Sequence, residues 1–235
     1  MADEFYVGYV PKAPTRLAVW IRGAELITLL LAAIIAVTLL LQQLPFPASR
    51  FEYGVLHDFA GVISNAPAPN LLADGRRILL SGEGKHGVGT LPEGRAKLRG
   101  TWIERGPDKM IELAAGSLQT SGGPAPAATP TDLGPVTLQG EIVDSKCYLG
   151  VMNPGNGKVH RDCAVRCISG GVPPAFLVRD QVGEGRILLL AGSNGRSIGA
   201  ELLPWAGQPV RIAGRLMMEG STYVLQTEPI HIHRE

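Results

Sequence analysis

The chain has 235 residues and a formal net charge of +1, with 22 Lys and Arg against 21 Asp and Glu. That balance excludes an electrostatic footprint for bulk nucleic acid, and five Phe, five Tyr and three Trp leave few side chains for stacking bases or sugars. Thirty Gly and 18 Pro without a collagen-like period indicate short elements joined by tight turns, an all-β signature.

Residues 1–23 read as a cytoplasmic tail, apolar at 5–11, where it suits the membrane interface or a partner's membrane helix. Residues 26–49 carry no charge, and 24–44 are long and apolar enough to form a transmembrane helix. Arg22 and Glu25 snorkel at one end, Gln42 and Gln43 mark the other, and Pro45 and Pro47 stop the helix beyond. Lys12, Arg16 and Arg22 precede the span, and only Arg50 follows closely, which keeps the N-terminus cytoplasmic. The leader is long for a cleaved signal peptide, and Phe46 is not the small residue that cleavage after Ala48 needs. No adjacent arginine pair precedes the apolar run, so the rest threads across unfolded and folds outside. A single-pass protein of a bacterial inner membrane with periplasmic domains is expected.

Beyond the span the chain repeats one design. Residues 59–63 (Phe-Ala-Gly-Val-Ile) correspond to 138–142 (Leu-Gln-Gly-Glu-Ile), and 77–82 (Arg-Ile-Leu-Leu-Ser-Gly) to 186–192 (Arg-Ile-Leu-Leu-Leu-Ala-Gly). Each copy closes with a hairpin-like pair, at 94–113 and 207–226, whose alternating apolar and polar residues mark half-buried strands. The expected domains are 51–119 and 134–235, joined by a Pro/Ala/Thr linker at 120–133 with nothing to bury. The strand order, and the glycine inside each penultimate strand (Gly100, Gly214), resemble the oligonucleotide/oligosaccharide-binding (OB) barrel. The resemblance implies five strands coiled into a closed sheet, with glycine at a sharp bend. It implies no activity by itself.

An insertion at 144–174 sets the second copy apart and holds all three cysteines of the chain, Cys147, Cys163 and Cys167, together with His160. His160, Cys163 and Cys167 stand at i, i+3 and i+7, which places them along one stripe of a helix ended by Gly170 and Gly171. Cys147, just past a strand, closes the set from outside. Four such ligands suit a tetrahedral metal, zinc or copper, and suit haem less. The alternative is a disulfide between Cys147 and Cys163 or Cys167, which an oxidising compartment favours and which leaves one thiol over. The segment from Glu141 through Cys147 to Cys167 resembles one found in exported, membrane-anchored bacterial proteins of undefined role. A membrane-anchored barrel is also similar, in architecture only, to the haem chaperone of cytochrome c maturation.

Other features carry less. Residues 82–87 (Gly-Glu-Gly-Lys-His-Gly) lack the ending and following helix of a phosphate loop. His231 and His233 alternate with isoleucines on one strand face, His57 and His86 have no recognisable partners, and no hydrolytic constellation gathers. The sequence thus predicts a non-catalytic accessory subunit or assembly factor of an inner-membrane redox or respiratory complex, partnered by integral-membrane proteins and not by nucleic acid. The alternatives are a metal or haem handler using the Cys/His cluster, and a cell-wall or sugar-binding module using Trp102 or Trp205.

Overall fold

The computed structural model describes residues 14–42, 48–123, 130–179 and 185–235. The chain divides into two units, 1–45 and 46–235. The first holds helix α1, Thr15–Gln42, which is long and apolar enough to cross a membrane. It has no amphipathic face, and Trp20, Leu30 and Leu40 are exposed along it. Its two threonines are satisfied internally: Thr28 Oγ1 donates to the Ala24 carbonyl at 2.9 Å and Thr38 Oγ1 to Ile34 at 2.7 Å. The helix begins at Thr15, well before Ala24, so Arg16, Arg22 and Glu25 lie on it. Pro14 sets that start, its carbonyl accepting the Ala18 amide at 2.9 Å. Residues 5–11, Pro45 and Pro47 lie outside the described residues.

The second unit consists of two closed five-stranded barrels. The first is built from β2 (His57–Ser64), β3 (Asn70–Ala73), β4 (Arg76–Ser81), β5 (Gly94–Arg105) and β6 (Asp108–Leu113), with β1 (Ser49–Phe51) and β7 (Gln119–Gly122) added on β5. The second uses β8 (Thr131–Asp144), β9 (Pro174–Arg179), β10 (Gly185–Ala191), β11 (Pro209–Glu219) and β12 (Thr222–Gln226), with β13 (Ile232–Arg234) on β11. In each the first strand pairs with the second and the second with the third. The third pairs in parallel with the fifth, and the fourth closes onto the first. Both copies therefore share one topology, with the closed five-strand sheet of the OB barrel.

The expected boundaries shift at the linker. Gln119–Gly122 is strand β7, paired with β5, and β8 already opens at Thr131. Residues 124–129 lie outside the described residues. The side chains of β7 are exposed, so it stands by completing a backbone ladder rather than by burial. The first barrel's sheet likewise begins at Ser49 rather than at 51.

Nor are the barrels beads on a string. In β4, Ile78 and Leu80 fill the first barrel, and in β10, Leu188 and Leu190 fill the second. The alternate residues Leu79, Ile187 and Leu189 point outward into one shared cluster with Ile103, Met110, Tyr148 and Val224. Both faces of these strands are thus apolar, which explains the unbroken Ile-Leu-Leu runs. At the rim of this junction Arg77 pairs with Glu219 across the barrels, and Arg186 attracts Asp108.

A Cβ at Gly100 would sit 2.4 Å from Ile111 Cγ2, and one at Gly214 would sit 2.4 Å from the Gln226 carbonyl, at the same place in each barrel. Gly100→Ala and Gly214→Ala should each destabilise by about 1–3 kcal/mol or more in urea unfolding. Gly199→Ala, with nothing within 4 Å, should change little. Equal effects at all three positions would contradict the shared bend. Burial pushes the Asp108 carboxyl up to about 6, against the pull of Arg186. A raised carboxyl weakens the folded state above the unfolded pKa, so stability falls as pH rises from about 4 to about 6 and stays lower beyond. Asp108→Asn should therefore stabilise by about 1–3 kcal/mol at pH 8 and have almost no effect near pH 3. An effect independent of pH would exclude this origin.

Candidate metal centre

The insertion replaces the turn between β8 and β9. Its two ends are tied together by Ser145, whose amide and hydroxyl both donate to the Pro173 carbonyl, at 3.1 and 2.7 Å. The chain then makes one turn of π-helix, Cys147–Val151, started by Asp144, whose Oδ1 accepts the Cys147 amide at 2.8 Å. This is the reach of an N-cap side chain over three residues. A 3-10 turn at Lys158–His160 leads into α2, Arg161–Ser169. That helix ends as the paired glycines imply. Gly171 takes φ +91° and donates to the Ile168 carbonyl at 2.9 Å, while Val172 donates to Cys167 at 3.0 Å. These bonds are a Schellman motif, with Val172 packed on Cys147 and Cys167.

The four predicted residues come together around Cys147. One ligand atom each from Cys147, His160 and Cys163 lies within 4.8 Å of the others, and the same holds for Asp144, Cys147 and Cys167. Cys147 Sγ is 4.0 Å from Cys163 Sγ and 3.9 Å from Cys167 Sγ. All three thiols are free. Ligand sulfurs at about 2.3 Å from a tetrahedral zinc stand about 3.8 Å apart, against about 2 Å in a disulfide. Cys147, Cys167 and His160 are buried and Cys163 is half-buried.

Three further residues belong to this site. Asp144, fully buried, holds His160 Nε2 at 2.9 Å from its Oδ2. Lys85, on the loop after β4 of the first barrel, donates from Nζ to Cys163 Sγ at 3.0 Å, which raises its pKa. Lys146 is buried, pairs with Glu112 and donates to the Gly82 and Gly84 carbonyls at 2.7 Å each. The Gly87 amide donates to Gly170 at 2.8 Å. The segment 82–87, unconvincing as a phosphate loop, is thus the lid that the first barrel lays over the cysteines of the second.

Hydrogen bonding within the cluster separates the thiols. The hydrogen bond that Cys147 shares with Cys167, then burial and the Asp144 charge, push the Cys147 pKa up. Cys167 is lowered, first by the same hydrogen bond to Cys147, with Cys163 and Lys85 helping.

The one sequence signal for Asp144 is its place three residues before Cys147, the spacing of a capping side chain. Lys85 has no local signal. Of the minor candidates, His57 does have a partner, Glu52, with Nε2 2.5 Å from Oε2. His231 and His233 are exposed and do not share one strand, because Pro229–His231 is a 3-10 turn and only Ile232–Arg234 joins the sheet. Trp102 and Trp205 are half-buried, each packed on its own barrel. The chain matches no protein-family model, no curated protein and no solved structure.

Lys146 tests the lid. Lys146→Met removes the cation that Glu112 and two carbonyls depend on, and should cost about 3–5 kcal/mol. Amide exchange at Gly87 should rise with it. Retained protection at Gly87 would show that the loop is held by other means.

Proposed function

We propose that this chain is a membrane-anchored, non-catalytic metal-binding accessory protein. The observation that carries the reading is that Cys147 stands within ligand reach of His160 and Cys163 on one side and of Cys167 and Asp144 on the other, with the buried Asp144 carboxylate against the imidazole. A carboxylate oriented this way commonly fixes the ring of a metal-ligating histidine and raises its basicity. Drawn together on one ion, Cys147, His160, Cys163 and Cys167 would make a Cys3His set of the kind that holds structural zinc. Copper(I) is the next fit by softness of the ligands. Donors this close suit a single ion better than a haem. Four protein ligands on such an ion would leave no position for a substrate, which favours a holding role over catalysis.

The setting in this proposal is a bacterial inner membrane crossed once within residues 24–44. The N-terminus is cytoplasmic and both barrels are periplasmic, because the basic flank of the helix lies on its N-terminal side. Arg16 and Arg22, on the first turns of α1, reach that interface by snorkelling. A helix apolar on every face can pack against other membrane helices, which suits an accessory subunit or assembly factor of an integral-membrane redox or respiratory complex.

Metal analysis of the full chain, purified without reducing agent or chelator, should find one zinc or copper per chain and three thiols that react only after chelation. His160→Ala and Cys163→Ser should each weaken metal retention by about 10-fold or more. Two thiols consumed in a disulfide, with no metal present, would overturn the proposal.

A further inference from the structure

The two barrels enclose a cleft of about 460 Å³ at their junction. That is the size of a small-molecule site, and domain interfaces are where such sites concentrate. Matching parts of both barrels line it: the opening residues of β4 and β10, and the turns β5–β6 and β11–β12. In this fold the turn between the last two strands is among the surfaces that take ligands. Leu79 and Ile187 form an apolar wall, and Arg77, Arg186 and Asp108 stand at the polar side.

Arg77 is the telling residue. Its side chain is only 6% exposed. Its Nη1 donates to the Ala66 carbonyl and its Nη2 to Glu219, but Nε has no hydrogen-bond partner among the described residues. A buried donor left unmade is costly, and an acceptor seated in the cleft relieves it. Charge points the same way. Arg76, Arg77, Lys109 and Arg186 line the cleft beside Asp108, with Glu219 bound to Arg77 and Glu104 to Lys109. Four cations thus face three carboxylates, and Arg76 and Arg186 have no salt bridge among the described residues.

We propose that this cleft binds a small amphipathic anion, its carboxylate or phosphate head against Arg77 Nε and Arg186 and its apolar body on Leu79 and Ile187. The bound group comes either from the membrane, as a fatty acid or phospholipid, or from a soluble metabolite. Calorimetric titration of the full chain in zwitterionic nanodiscs, with empty nanodiscs as reference, tests it. Hexanoate and hexyl phosphate should bind at one site, and hexanol and hexylammonium should not. Arg186→Gln should weaken the anions at least 10-fold. Thr222→Glu, which adds a negative charge at the cleft, should do the same should Arg186→Gln lower the melting midpoint. Absent anion binding, equal binding of the controls, or wild-type affinity in both variants would overturn the proposal. Mass spectrometry of the detergent-purified chain then separates the sources. A co-purifying fatty acid or phospholipid assigns the membrane, and anion binding without one assigns a soluble metabolite.

Discussion

Tyr148 and Leu149 are buried where the two barrels meet, and the rest of the structure is arranged around them. Arg105 of the first barrel fixes the tyrosine from two sides, with its guanidinium 4.5 Å from the ring and its Nε donating to the Tyr148 carbonyl at 2.6 Å. Burying two such side chains contributes on the order of several kcal/mol. Because Cys147 directly precedes them, the same contact that joins the barrels also sets the position of the central thiol. The insertion is therefore anchored at the junction rather than hanging from one barrel.

The lid completes this arrangement from the other side. Lys146 within the insertion and Lys85 of the first barrel place two cations beside a buried carboxylate, two buried thiols and the half-buried Cys163. Lys146 is held by Glu112 and loop carbonyls, and Lys85 is free to lie against Cys163. A metal dication would suit that electrostatic setting, since thiolates gathered in a buried space need positive charge nearby. The first barrel, which contributes no cysteine, supports the site in this way.

Much of the fold was legible because it is written locally. The aliphatic run of α1, the repeated Arg-Ile-Leu-Leu strands, the glycines at 100 and 214 and the glycine pair ending α2 each follow from period, sterics or capping. Helical spacing implied one stripe for His160, Cys163 and Cys167, but His160 stands on the 3-10 turn before α2 and groups with Cys163, whereas Cys167 groups with Asp144, both through Cys147. What the sequence did not disclose depends on partners far along the chain. Lys85 meets Cys163 78 residues away. Leu79 and Leu189 look like ordinary core residues until the barrels are placed together. β7 has neither burial nor pattern and exists only as an edge of β5. Asp144 was partly legible, since its capping spacing is local although its contact with His160 is not.

Calorimetric unfolding of the full chain with and without a metal chelator shows whether the barrels and the Cys/His insertion form one cooperative unit. A cooperative unit that holds a metal melts in a single transition for both barrels, and that transition moves to lower temperature as a whole on chelation. Two separate transitions, with only the second barrel's responding to the chelator, would contradict it.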